Sequence, residues 1–232
     1  MQRQIFFDLD HTLWDFDLNS KETLQELLVE FEPRIGAPID FEIFFPHFRY
    51  IHKQLWKLYQ QDQIESQDIR YRRFRYAFEQ LGIEHEAWVD EFGAAYVERC
   101  PLKPNLVAGA LETVEMLSKH FTLNIISNGF EKTQKLKLEQ SGLKPFFTNI
   151  ITSESIGVKK PDPAIFAHAL EVAGCLAEDA VFIGDDYEVD VIGGCMAGLN
   201  TIFFNPEGLP NPLRVTEVKE LKELRVLVSE KE

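Results

Sequence analysis

One long interruption constrains this chain more than anything else in it. Strand-like apolar runs and helical stretches alternate over most of its length, but residues 14–105 hold no convincing strand. The runs are Ile5-Phe6-Phe7, Thr122-Leu123-Asn124-Ile125-Ile126, Asn149-Ile150-Ile151-Thr152, Ala180-Val181-Phe182-Ile183 and Thr201-Ile202-Phe203-Phe204. Short apolar runs bounded by polar residues read as buried strands. Helical stretches between them make βαβ units around a parallel sheet. Those stretches fall near 107–120, 131–141, 163–173 and 190–197. Asp162-Pro163 predicts an N-cap before a first-turn proline, and Gly142, Gly174 and Gly198 stand where helices should stop. The interruption reads as helices near 20–32, 41–61, 66–81 and 85–99, with Ser66 an N-cap and Gly82 a stop. The expected architecture is α/β: a parallel-sheet core from residues 1–13 and 106–232, and a helical insertion, residues 14–105, forming a cap. A final helix is predicted near 215–229.

Composition narrows the partners. At 232 residues and 45% hydrophobic, the chain can bury a sizeable core. Its formal charge of −14 opposes binding to nucleic acid or an anionic membrane. The same field repels phosphate esters, so a phosphate site here must carry its own cations. Cys100, Cys175 and Cys195 are scattered without a CxxC, which predicts reduced thiols. With no leader pattern and no span of membrane length, a cytoplasmic protein is expected.

The chemistry-bearing residues lie at predicted strand ends, where ligands of open α/β sheets bind. Asp8 and Asp10 follow the first run. Two acids there must be solvated, paired or bound to a cation, which makes them poor structural choices and good catalytic ones. One can act as nucleophile and the other can carry protons. Ser127-Asn128-Gly129 ends the second run and offers a hydroxyl, an amide and turn N–H groups to a phosphoryl oxygen. A lysine in Lys159-Lys160-Pro161-Asp162-Pro163 can neutralise an anion. Gly184-Asp185-Asp186, then Asp190, follow the fourth run, and oxygen ligands from separate strands suit Mg²⁺.

The ordered set Asp8-Leu9-Asp10-His11-Thr12, Ser127, Lys160 and Gly184-Asp185-Asp186-Tyr187-Glu188-Val189-Asp190 resembles the four motifs of the haloacid dehalogenase superfamily, and the resemblance spans the chain. It implies a Rossmann-like core and a cap inserted after the first strand. It implies an aspartyl-phosphate on Asp8, with Asp10 as acid and base and Lys160, directly before Pro161, as the family lysine. Mg²⁺ is expected on Asp8, Asp185 and the backbone carbonyl of Asp10, with Asp190 or Asp186 in support. Ser127-Asn128-Gly129-Phe130, the run 153–163 and Gly193-Gly194 are similar to the YjjG-type pyrimidine 5′-nucleotidase branch, and Leu55-Trp56-Lys57-Leu58-Tyr59-Gln60 with Arg73-Phe74 match it more loosely. Lys159 and Ser155 depart from that branch.

The expectation is a Mg²⁺-dependent phosphomonoesterase acting on a small phosphate ester, a pyrimidine nucleoside 5′-monophosphate above all, as a monomer or weak homodimer. Alternatives are a phosphatase of phosphoglycolate or a sugar phosphate, a 2-haloacid dehalogenase, and a non-enzymatic binding protein. Dehalogenases of the superfamily lack the second aspartate, and loss of Asp8 or Lys160 would signal a binding protein; all three residues are present. Trp14, Phe16, Trp56 and Tyr59 offer faces on which a base can stack, although each also suits a cap core or hinge. Arg72 and Arg73 read as a solvated helix face.

Overall fold

The apolar runs become the strands of one sheet in the computed structural model, which describes residues 3–84 and 86–229. The strands are β1 (Gln4–Phe7), β2 (Thr122–Ser127), β3 (Phe147–Thr152), β4 (Ala180–Gly184), β5 (Asn200–Phe204) and β6 (Thr216–Val218). Their order is β3-β2-β1-β4-β5-β6, and every neighbouring pair is parallel. The expected α/β class with a parallel sheet is present. β1 is central, with Phe7 opposite Ile125 on one side and Ile183 on the other. The Asp8 N–H still donates to the Ile183 carbonyl at 2.9 Å, so the ladder carries the chain to the first acid before it turns away. Parallel register brings the ends of β1, β2 and β4 to one edge.

On one face Phe6, Ile126, Ile151 and Phe182 pack with Ile165, Phe166 and Ala169 of the helix Pro163–Ala173. Phe166 meets Phe182 edge to face at 5.2 Å. Each such ring removed from water contributes roughly 1.5–3 kcal/mol. That helix starts as predicted: Asp162 accepts from the Ala164 N–H at 2.8 Å, Pro163 occupies the first turn, and left-handed Gly174 ends it. The predicted final helix over 215–229 is overturned. Thr216 and Val218 pair with Ile202 and Phe204 as β6, followed by a 3₁₀ turn Leu221–Arg225 and the short helix Val226–Ser229. The β-branched Val215, Thr216 and Val218 favour the pleated edge over a helix.

Two compact units are present. One is Met1–Phe16 with Pro104–Glu232, the other Asp17–Lys103. The second unit is helical: Phe16–Ile35 (all but its first residue), Phe41–Gln60, Ser66–Gln80 and Val89–Arg99. The predicted helix over 85–99 begins later, and residue 85 lies outside the described residues. Glu65, not Ser66, caps the third helix, in a reciprocal box with Asp68. The interior of this unit is aromatic. Phe74 meets Phe92 at 5.2 Å and Tyr96 at 5.1 Å, and Phe78 meets Trp88 at 4.7 Å. Arg72 is exposed as predicted, but Arg73 is not: it is buried, its guanidinium 4.5 Å from the centre of the Tyr96 ring. Consecutive residues on a helix of 3.6 residues per turn project to different faces, so Arg72 meets solvent while Arg73 turns inward.

Candidate active site

After Asp8 the chain makes a tight turn. The Leu13 and Trp14 N–H groups both donate to the Leu9 carbonyl at 2.9 Å, and His11 takes a left-handed φ of 63°. The turn brings Thr12 back beneath the end of β4, where its hydroxyl donates to Asp185 Oδ1 at 2.7 Å. Thr12 is fully buried, so the bond fixes the rotamer of that carboxylate.

Asp8, Asp185 and Asp190 each contribute a carboxylate oxygen, and the three atoms lie within 4.8 Å of one another. Lys160, 2% exposed, bridges two of these acids: Nζ donates to Asp8 Oδ1 and to Asp190 Oδ1, each at 2.6 Å. Burial opposes the charge on Lys160, but Asp190 and Asp8 outweigh it and hold the ammonium protonated well above its ordinary range. The acids are less well served. Burial, reinforced by Asp190 and Asp185, pushes the Asp8 carboxyl well above the usual carboxylate range despite Lys160. Burial and then Asp190 do the same to Asp185, and burial raises Asp190 as well. Three clustered carboxylates, Asp8 and Asp190 buried and Asp185 half-buried, against one lysine leave negative charge that a divalent cation offsets, and an all-oxygen donor set fits Mg²⁺.

The local sequence explains how Asp190 reaches the cluster. Asp186 is exposed and caps the next turn, accepting from the Glu188 and Val189 N–H groups at 2.9 Å, so it stands outside the cluster. The wide π-helical turn Tyr187–Ile192 then directs Asp190 back against Gly184. A Cβ on Gly184 would lie 2.3 Å from Asp190 Oδ2, so only glycine admits the carboxylate there.

Asp10 is held apart from the other acids. Its Oδ1 accepts from Lys137 Nζ at 2.5 Å and its Oδ2 from Gln134 Nε2 at 2.8 Å. Burial pushes the Asp10 carboxyl up, but Lys137 and Gln134 overcome it and hold it below the usual value. The Asp10 carboxylate is thus outside the cluster formed by Asp8, Asp185 and Asp190. Two donors draw it toward the helix Glu131–Gln140.

Ser127 is buried, its hydroxyl oxygen accepting from the Gly129 N–H at 3.1 Å and from Gln134 Nε2 at 2.6 Å. Asn128 was expected to offer its side-chain amide to a phosphoryl oxygen. That amide is instead committed to the main chain of Lys160: Oδ1 accepts from the Lys160 N–H at 2.8 Å and Nδ2 donates to its carbonyl at 2.9 Å. Asn128 thus clamps the lysine loop. Trp14 also departs from expectation. It is fully buried with Lys137 Nζ 4.4 Å from its ring centre, so it packs and offers no stacking platform. Trp56 is half-buried, edge to face with Tyr59 at 5.5 Å within the helical unit.

Sequence reading missed Gln134 and Lys137. A signal existed: on the helix Glu131–Gln140 they share the buried face with Leu138, at spacings of four and one. Polar residues on a face that should be apolar need a reason.

A parallel sheet whose carboxyl edge gathers four aspartates and two buried lysines defines a class of hydrolytic α/β enzyme. The sequence matches the haloacid dehalogenase-like hydrolase family over residues 5–204, and the chain belongs to that family. It is 34% identical over 227 residues to the pyrimidine 5′-nucleotidase YjjG of Escherichia coli, covering 95% of this chain and 96% of that one. It is 30% identical to the pyrimidine 5′-nucleotidase PynA of Streptococcus pneumoniae, covering 89% and 85%. Among solved structures, YfnB of Bacillus subtilis, crystallised with magnesium, superposes with a TM-score of 0.86 at 28% identity, over 98% of this chain and 99% of that one. The chain is a hydrolase of this family, and no helix among its described residues is long and apolar enough to cross a membrane.

Proposed function

We propose that the protein is a Mg²⁺-dependent phosphomonoesterase that works through a phosphoryl group carried on Asp8, with pyrimidine nucleoside 5′-monophosphates as substrates. The observation that carries the chemistry is the division of labour between two acids on one strand end. Asp8 lies in the cluster with Lys160, Asp185 and Asp190, and Asp10 stands outside it with donors of its own.

Asp8 attacks phosphorus in line, and Lys160 orients its carboxylate through Oδ1. Asp10, its carboxyl held low in the resting site, takes up a proton as the ester binds and gives it to the departing ester oxygen. It then takes a proton from the water that hydrolyses the acyl phosphate, contributing on the order of 10²–10⁴-fold. The Ser127 hydroxyl and the backbone N–H groups after β2 hold phosphoryl oxygens, and Asn128 keeps the Lys160 loop in place. Asp8, Asp185, Asp190 and the Asp10 backbone carbonyl would hold Mg²⁺, which when bound offsets charge on the phosphoryl oxygens. A halide leaves carbon without a proton, so a positioned Asp10 favours phosphate esters over dehalogenation.

Similarity to YjjG and PynA over most of the chain supports the nucleotide reading. A sugar phosphate is the second reading, favoured by glyceraldehyde 3-phosphate phosphatase of Pyrococcus furiosus, 30% identical over 202 residues. Phosphate release from a panel separates the two. dUMP and dTMP should exceed sugar phosphates and phosphoglycolate in kcat/KM by about tenfold or more, roughly 1.4 kcal/mol in transition-state binding. The reverse ranking would end the nucleotidase reading and leave the phosphatase reading standing.

A further inference from the structure

The mechanism above leaves Lys137 and Gln134 without a task, although both are buried at the reacting edge. We propose that they are positioning residues for Asp10, holding its carboxylate in the plane from which it exchanges protons with the ester oxygen and water. The inference rests on the reading of Asp10 as acid and base.

Four observations carry it. Each oxygen of Asp10 has its own donor, Lys137 on Oδ1 and Gln134 on Oδ2, so neither rotation nor tilt of the carboxylate is free. Lys137 is itself confined. It is 5% exposed, its Nζ lies over the Trp14 ring, and Asp10 is its only salt-bridge partner among the described residues. A lysine buried for packing alone would be replaced at lower cost by a hydrocarbon, since desolvating an ammonium is justified only where its charge is used. Gln134 tells the same story. Its Nε2 serves both Asp10 and Ser127, while its Oε1 is buried with no hydrogen-bond partner. A fold selected for stability alone does not keep an orphaned acceptor; such departures gather at functional sites. Finally, the backbone makes room for this amide: a Cβ at Gly129 would lie 2.1 Å from Gln134 Nε2. The helix following the phosphate-binding turn thus ties the proton-carrying acid to the Ser127 hydroxyl through one side chain.

Leaving groups of different basicity provide the test. The alkoxide of a nucleoside must be protonated as it departs, whereas 4-nitrophenolate leaves without help. Lys137→Met and Gln134→Met are to be compared with the parent on dUMP at steady state and on 4-nitrophenyl phosphate in the pre-steady-state burst. Both variants should remain folded by thermal melting. Their kcat on dUMP should fall on the order of 100-fold, with KM changing less than about twofold. The burst rate constant should fall less than about fivefold, because the first transfer then needs no acid. In an Asp10→Asn background, Lys137→Met should add almost nothing, the non-additivity of residues acting as a unit. Equal losses on both esters would overturn the proposal, as would no loss on either, or a full additive loss in the Asp10→Asn background. Asp10→Asn alone separates this proposal from its premise: if it shows no preference for the better leaving group, the acid–base reading of Asp10 has failed.

Discussion

Asp8 and Asp10 leave the same strand two residues apart, and their surroundings drive them in opposite directions. Asp8 shares its lysine with Asp190 and faces Asp185, and burial with these neighbours pushes its carboxyl well up. Asp10 has a lysine and an amide to itself, and its carboxyl is held down. Paired carboxylates with divergent environments are how one fold assigns different tasks to identical side chains. The first corner calls for an external cation, and the second is complete from the chain alone.

The sharpest way to break this comparison is to neutralise each acid in turn. Asp8→Asn should lose phosphate release by on the order of 10⁴-fold or more, as expected for a removed nucleophile. Asp10→Asn should lose less, roughly 10²–10⁴-fold. A folded Asp8→Asn variant turning over near the parent rate would remove the basis for the distinction.

The second test concerns the cation. EDTA should abolish turnover and Mg²⁺ restore it. Asp185→Ala should cost on the order of 100-fold at limiting Mg²⁺ and recover in part at high Mg²⁺. Unchanged activity in metal-free buffer would show that the Asp8 corner needs no cation. A smaller effect is expected one bond further out. Thr12→Val removes the donor to Asp185 and should weaken apparent Mg²⁺ affinity by about tenfold, read as the Mg²⁺ concentration giving half-maximal rate.

The smallest effect is on stability. Asp8, Asp185 and Asp190 have folded pKa values above their unfolded ones, so in the window between the two the folded state holds more protons. Their contribution to stability therefore decreases as pH rises through that window. Asp10 has the opposite sign: its contribution is present above the ordinary carboxylate range and is lost as pH falls through its lowered value. The metal-free protein should lose about a few degrees of Tm between mildly acidic and neutral pH. Asp185→Asn should flatten that slope, and Mg²⁺ should raise Tm more at neutral than at acidic pH. A slope unaffected by both changes would contradict the account of the cluster.

Legibility from sequence followed the same division. β1 to β5 were readable because apolar runs of this kind are local signals, and Asp8 and Asp185 could be placed at strand ends, with Lys160 and Asp190 in the segments that follow, by order alone. β6 was not, since a three-residue edge strand derives its identity from pairing with β5 rather than from its own pattern. The partners of Asp10 were obscured for a similar reason. Gln134 and Lys137 lie more than 120 positions from Asp10 in sequence and meet it only when β1 and β2 pair. The true tasks of Asn128 and Trp14 were equally invisible, because an amide that clamps a main chain and a ring that floors a lysine look, in sequence, like ligands.

Which acid carries the phosphoryl group is the claim on which the account depends most. Rapid acid quenching during turnover of dUMP with Mg²⁺, followed by peptide mapping, reads it directly. The account predicts a hydroxylamine-labile phosphate on the peptide containing Asp8, formed and consumed at least as fast as kcat, with the modified residue Asp8 itself and absent from Asp8→Asn. Phosphate on Asp10, or turnover at full rate with no phosphorylated peptide at any quench time, would contradict it.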